Sequence, residues 1–104
     1  MLIEDATTAL LRATLNFLDF PATVERIRSR SWASITFTGA RHELTLRLDG
    51  DHAAEAADRF CAGLETAEFD LRRHILADIA LVGREAAADG GVRLRIEALT
   101  VEDA

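Results

Sequence analysis

Three histidines, one cysteine and two groups of arginines are the side chains whose chemistry could reach beyond packing. His42, His52 and His74 could serve as bases or metal ligands, but none stands in a His-x-His, His-x-x-Glu-His or Cys-x-x-Cys spacing. Asp49-Gly50-Asp51-His52 offers two carboxylates and an imidazole to a hard cation. It lacks the other ligands of a calcium loop, above all the closing Glu at the twelfth loop position. A turn followed by a helix cap accounts for the same residues. His42 and His74 each open an extended segment, and Asp78 falls on the same side of its strand as His74. A His–Asp pair can tune a general base, though two steps along the strand separate these residues. No Ser or Cys lies in a nucleophile elbow or triad context. Cys61, beside Phe60, reads as a small buried hydrophobe and has no second cysteine to pair with. The glycines form no phosphate loop, and no metal or cofactor is expected.

The arginines form the more unusual pattern. All twelve basic residues are Arg, and Lys, Tyr and Gln are absent, the signature of a GC-rich bacterial genome. Arg47, Arg93 and Arg95 fall on the outward side of expected strands, and Arg26, Arg28 and Arg30 occupy every second position. Guanidinium forks suit phosphate and carboxylate groups, so Arg47, Arg93 and Arg95 are the candidate ligand-binding set. Glu43 and Glu97 could neutralise them as cross-strand pairs. A net charge of −6 argues against nucleic acid, whose affinity rests on a basic footprint. Only Trp32 could stack on a base.

The elements that must position these residues follow from hydrophobic spacing. Residues 3–18 read as a helix, with Ile3, Ala6, Leu10, Ala13 and Phe17 on one stripe and Leu11, Leu15 and Leu18 beside it. Glu4 and Asp5 suit its first turn, and Pro21 lies past its end. Alternation fails around Ile27, so 22–30 is either a short strand or an extended connection. Residues 32–38 read as a strand with Ala33, Ile35 and Phe37 on one face. Gly39-Ala40-Arg41 reads as a turn, and 42–48 as the returning strand with Leu44, Leu46 and Leu48 inward. Asp49 or Asp51 would cap a second helix running to about residue 65, buried through Ala53, Ala57, Phe60 and Leu64. Residues 73–84 and 92–101 form a second hairpin around 87–91, with Ile75, Ala77, Ile79 and Leu81 inward on its first strand. Residues 102–104 read as a loose acidic tail.

The expectation is a single α+β domain over residues 1–104, with the order α-β-β-α-β-β. A four-stranded antiparallel sheet of two hairpins would carry two helices packed on one face. An apolar start followed at once by Glu4 and Asp5 is not a secretory signal, and no apolar run approaches the ~20 residues of a membrane helix. A cytoplasmic location is therefore expected, with no membrane partner.

Apolar residues also fall on the expected outer face: Trp32, Leu76, Val82, Leu99 and Val101, with Ala80. Such patches on a small domain mark interaction sites, unless a β-bulge turns some of them inward or the first helix or the 22–30 segment covers them. With no catalytic constellation, the sequence points to a small non-enzymatic, self-associating interaction protein. It would be a homodimer through Trp32, Leu76, Val82, Leu99 and Val101. The alternative is a small-molecule or anion-binding domain using the Arg-bearing sheet face.

Overall fold

A computed structural model describes residues 4–102. Ile3 and the last two tail residues lie outside them. The chain runs α1 (Ala6–Leu18), β1 (Ala22–Ala33), β2 (Thr38–Leu48), α2 (Ala53–Gly63), a short 3-10 turn (Leu64–Thr66), β3 (His74–Ala86) and β4 (Val92–Glu102). The four strands form one antiparallel sheet in the order β1-β2-β4-β3. The α+β class and the α-β-β-α-β-β order expected from the hydrophobic spacing are what the chain adopts.

Asp5 starts α1 from outside it: its carboxylate accepts the Thr8 N–H at 2.7 Å, satisfying a donor that the helix leaves free. The helix therefore begins at Ala6 rather than in the Glu4–Asp5 segment. Asp19 ends it in a left-handed conformation (φ 50°), with its N–H on the Leu15 carbonyl. α2 starts differently from the expectation. Neither Asp49 nor Asp51 caps it; His52 occupies the cap position without a side-chain bond, and backbone contacts close the turn (Ala53 N–H to Gly50 O, 3.2 Å). Asp49 turns back along β2 to accept from Arg47 Nε at 2.9 Å.

Both helices pack on one face of the sheet. The core joins Leu10 and Leu18 of α1, the small face Ala53, Ala56, Ala57 and Phe60 of α2, and the inward residues of β2 (Leu44, Leu46, Leu48) and β4 (Val92, Leu94, Ile96). Phe17 sits between Phe60 and Phe69, with ring centroids 5.6 and 5.5 Å away. The alanine face lets α2 lie close to the strands.

The hairpin β1–β2 corrects the sequence reading. Residues 22–30 form most of β1, and pairing runs from Ala22↔Leu48 to Ala33↔Thr38. The tip is Ser34–Phe37, not 39–41, and Gly39-Ala40-Arg41 belong to β2. The Ser34 hydroxyl accepts the Phe37 N–H at 3.0 Å, and Ser34 N–H donates to Phe37 O at 2.7 Å. Ile35 and Phe37 are consequently not core residues: Ile35 is fully exposed and Phe37 is 55% exposed. Their alternation with Thr36 and Thr38 is that of a tip, not of a buried strand.

Bulges rephase the outer strands. One between Val24 and Arg26 lets Val24 and Ile27, three residues apart, both face the helices. In β3, shifts between Leu76 and Asp78 and between Leu81 and Gly83 place Leu76, Ile79 and Leu81 together on the core side. Ile75, expected inward, is half exposed. Truncating Leu46 to Ala should cost about 2–5 kcal/mol in urea unfolding, the usual range for a fully buried leucine. Ile35→Ala should change stability by less than about 0.5 kcal/mol. Comparable losses for the two would restore the 32–38 strand and its 39–41 turn.

Candidate functional site

The titratable residues separate onto the two faces of the sheet. His42 is inward because it continues the Leu44–Leu46–Leu48 alternation, and it is 2% exposed. Its Nδ1 lies 2.7 Å from Ser29 Oγ, and its Nε2 lies 2.9 Å from Thr100 Oγ1. Ser29 Oγ reaches Thr7 Oγ1 of α1 at 2.7 Å, and Thr100 donates weakly to Ala40 O at 3.5 Å. One neutral tautomer satisfies the whole chain, with Ser29 donating to Nδ1 and Nε2–H donating to Thr100. His74 is half-buried at the start of β3, with Nε2 3.3 Å from Glu4 O and Nδ1 buried without a partner. Burial pulls the His42 pKa below the ordinary imidazole value; the nearby His74 adds to this and Asp5 opposes it.

This cluster does not assemble a base. Asp78 points to the other face of the sheet, two positions across from Arg41, and so joins neither His42 nor His74 on the helix side. The Ser29–His42 pair has a hydroxyl, not a carboxylate, on the far imidazole nitrogen, so no carboxylate is hydrogen-bonded there to hold an imidazolium. His52 is exposed and reaches Glu55 at 3.5 Å, while Asp49 is taken by Arg47. Among the described residues, no three of His, Cys, Asp and Glu converge on a metal position. Cys61 lies on the fringe of the core.

The outer face is bare of helix and can be read in rows across the strands in the order β1, β2, β4, β3. Trp32, Gly39, Val101 and Ile75 make an apolar row at the hairpin-tip end. Arg30, Arg41, Leu99 and Asp78 make the next, followed by Arg28, Glu43, Glu97 and Ala80, and by Arg26, Thr45, Arg95 and Gly83. Thr23, Arg47, Arg93 and Glu85 make the last. Gly39 is needed in the first row: a Cβ there would lie 2.0 Å from the Thr100 carbonyl oxygen and 2.9 Å from the Trp32 ring. Gly83 leaves a bed on which the Arg95 guanidinium rests.

Of the expected interface residues, Trp32, Val82, Leu99 and Val101 share this face, whereas the Leu76/Asp78 bulge sends Leu76 to the helix side. Arg47, Arg93 and Arg95 also share it, but each has a carboxylate within the chain. Arg47 holds Asp49 and Asp89, Arg93 grips the bulged Glu25 through two bonds of 2.6 and 3.2 Å, and Arg95 lies 3.9 Å from Glu85. The Arg93 guanidinium holds the Glu25 carboxyl below its usual range. Arg26, Arg28, Arg30 and Arg41 have no ion pair among the described residues, and neither do Glu43, Glu97 and Asp78. Arg30 and Arg41 stand directly opposite each other, a like-charge pair that destabilises a sheet. The alternation of Arg26, Arg28 and Arg30 is visible in the sequence; their closeness to Arg41 needs the strand register.

The face therefore has polarity. Unpaired cations gather on β1 and β2, the unpaired carboxylates lie on β2, β4 and β3, and an apolar end continues into the exposed tip. No described helix is long and apolar enough to cross a membrane.

The buried imidazole yields a pH prediction. In the unfolded chain His42 takes up a proton near pH 6.5, whereas in the folded chain it resists until lower pH. Its contribution is complete above that value and is lost as the pH falls below it. Urea midpoints should drop between pH 7.5 and 5.5, and the drop should shrink in His42→Gln. An equal drop in both proteins would show that His42 is not its source. No family model matches the chain, and no curated protein matches it in sequence.

Proposed function

We propose that this domain is a non-enzymatic, self-associating interaction module whose working surface is the open face of the sheet. One observation carries the reading. A whole face of four paired strands lies bare of helix, with an apolar row at one end, ion-paired arginines at the other, and between them charges of both signs that have no ion pair among the described residues. Solvated sheet faces ordinarily pair their charges across strands; this one, beside the ordinary Arg28–Glu43 and Arg93–Glu85 oppositions, also sets Arg30 against Arg41 and Glu43 against Glu97.

The area is sufficient. Four strands about 4.8 Å apart, each about ten residues long at about 3.3 Å per residue, make a face of roughly 600 Å². Two such faces would bury roughly 1,200 Å², the lower end of specific interfaces. Leu99 sits next to the middle of this surface, between Arg41 and Asp78. Native mass spectrometry of the gently purified protein should give a dimer, and Leu99→Asp should give a monomer with unchanged circular dichroism. A monomeric wild-type chain at high concentration, or an undisturbed dimer in the variant, would reject the reading.

A second reading rests on the Arg30–Arg41 opposition, which an anion would relieve. Arg28, Arg30 and Arg41 line one shallow hollow. Under this reading, inorganic tripolyphosphate should bind in calorimetry, and the double variant Arg30→Ala, Arg41→Ala should weaken it about tenfold or more. Absence of heat with the wild-type chain would dispose of it.

A further inference from the structure

Resting on the reading of the open face as a self-association surface, we infer the arrangement of the pair: a two-fold axis parallel to the strands, which sets Arg30 of each copy against Asp78 of the other. Packed sheets hold their strands within about 30° of one another and about 10 Å apart. A two-fold axis that stacks two identical faces lies between them, and only two orientations keep the strands aligned. An axis across the strands lays β1 on the second copy's β1. With the axis at Arg28 it would press Arg28 onto Arg28 and Arg26 onto Arg30 of the second copy, and leave Asp78 of β3 over Gly83.

An axis along the strands separates the β1 arginines from their own copies; its like-charge meeting of Arg47 with Arg93 involves guanidiniums that already hold Asp49, Asp89 and Glu25. It lays β1 over β3 and β2 over β4 of the second copy. Because a two-fold rotation does not slide along its own axis, each row meets itself reversed. Trp32 then covers Ile75, which is half exposed in a single copy, and Gly39 receives Val101. Arg30 reaches Asp78, Arg28 lies over the small Ala80, and Arg26 lies over Gly83 beside the Arg95 guanidinium that rests there. Arg30, without an ion pair among the described residues, thus meets the β3 carboxylate that also has none among them, and Arg28 meets a small side chain. Glu43 meets Glu97 near the axis, with Arg28 and Arg41 of the same chain flanking it. Both hairpin tips come to the same end, so Ile35 and Phe37 of the two copies extend the Trp32–Ile75 row.

Charge reversal tests the geometry separately from self-association. Arg30→Glu and Asp78→Arg, each at an exposed position with no ion pair of its own among the described residues, should each weaken the dimer about tenfold or more. The double variant Arg30→Glu, Asp78→Arg should return to within about threefold of wild type. Analytical ultracentrifugation reads all four proteins. A dimer tightened by Arg30→Glu alone would point to β1 stacked on β1. Indifference to both reversals, or no recovery in the double variant, would equally overturn the axis while leaving the dimer standing. A wild-type monomer would remove the self-association reading itself.

Discussion

A four-stranded antiparallel sheet has two faces, and one helix of thirteen residues and one of eleven can cover only one of them. Everything else in the molecule follows from that one-sided burial. The core is a single layer between helices and sheet, and Leu44, Leu46, Leu48, Leu94 and Ile96 hold it together from below. Because the central strands β2 and β4 carry strict alternation, every residue between these core positions is forced outward. Arg41, Glu43, Thr45 and Arg47 on β2, and Arg93, Arg95 and Glu97 on β4, are on the open face because their neighbours are in the core.

The edge strands meet the same constraint by different means. β1 and β3 do not alternate cleanly, and each is brought into phase by bulges. A bulge adds one residue without a partner, bends the strand and restores the side-chain phase beyond it. At Glu25 it frees a carboxylate to reach across the face to Arg93. Between Leu76 and Asp78 it draws Leu76 into the core, against both Ala9 and Ala13 of α1 and the main cluster. Bulged and charged edges resist edge-to-edge sheet growth. The edges are therefore poor templates for an added strand.

Which features could be read from the sequence depends on how far each signal reaches along the chain. α1, α2, β2 and β4 are carried by local periodicity and exist where their apolar spacing places them, although α1 starts at Ala6 and β2 reaches back through Gly39-Ala40-Arg41 to Thr38. β1 is hidden because its bulge breaks the alternation at Glu25 and its outward side is arginine. The tip residues Ser34-Ile35-Thr36-Phe37 imitate a strand because a β-branched residue and an aromatic alternate there with no core to face. Leu76 and Ile75 exchange faces because one inserted residue reverses the phase of everything before it. The opposition of Arg30 to Arg41 and of Glu43 to Glu97 depends on cross-strand register, a property of two distant segments that no single window contains.

The two faces also divide the titratable groups by function. Inside, His42 is bonded on both nitrogens by hydroxyls and ties α1, β1, β2 and β4 together through Thr7, Ser29 and Thr100. A buried polar group satisfied at every atom fixes register, because a one-residue slip would leave it unpaired. Outside, the guanidinium and carboxylate groups have water as their alternative partner, so it costs little in an isolated chain that Arg26, Arg28, Arg30 and Arg41 form no ion pair among the described residues. The same four charges gain strength once water is excluded from the face, because Coulomb energy rises as the effective dielectric falls. An arrangement that is nearly neutral for folding would thus discriminate between orientations of any surface laid on the sheet, favouring one whose carboxylates fall opposite β1.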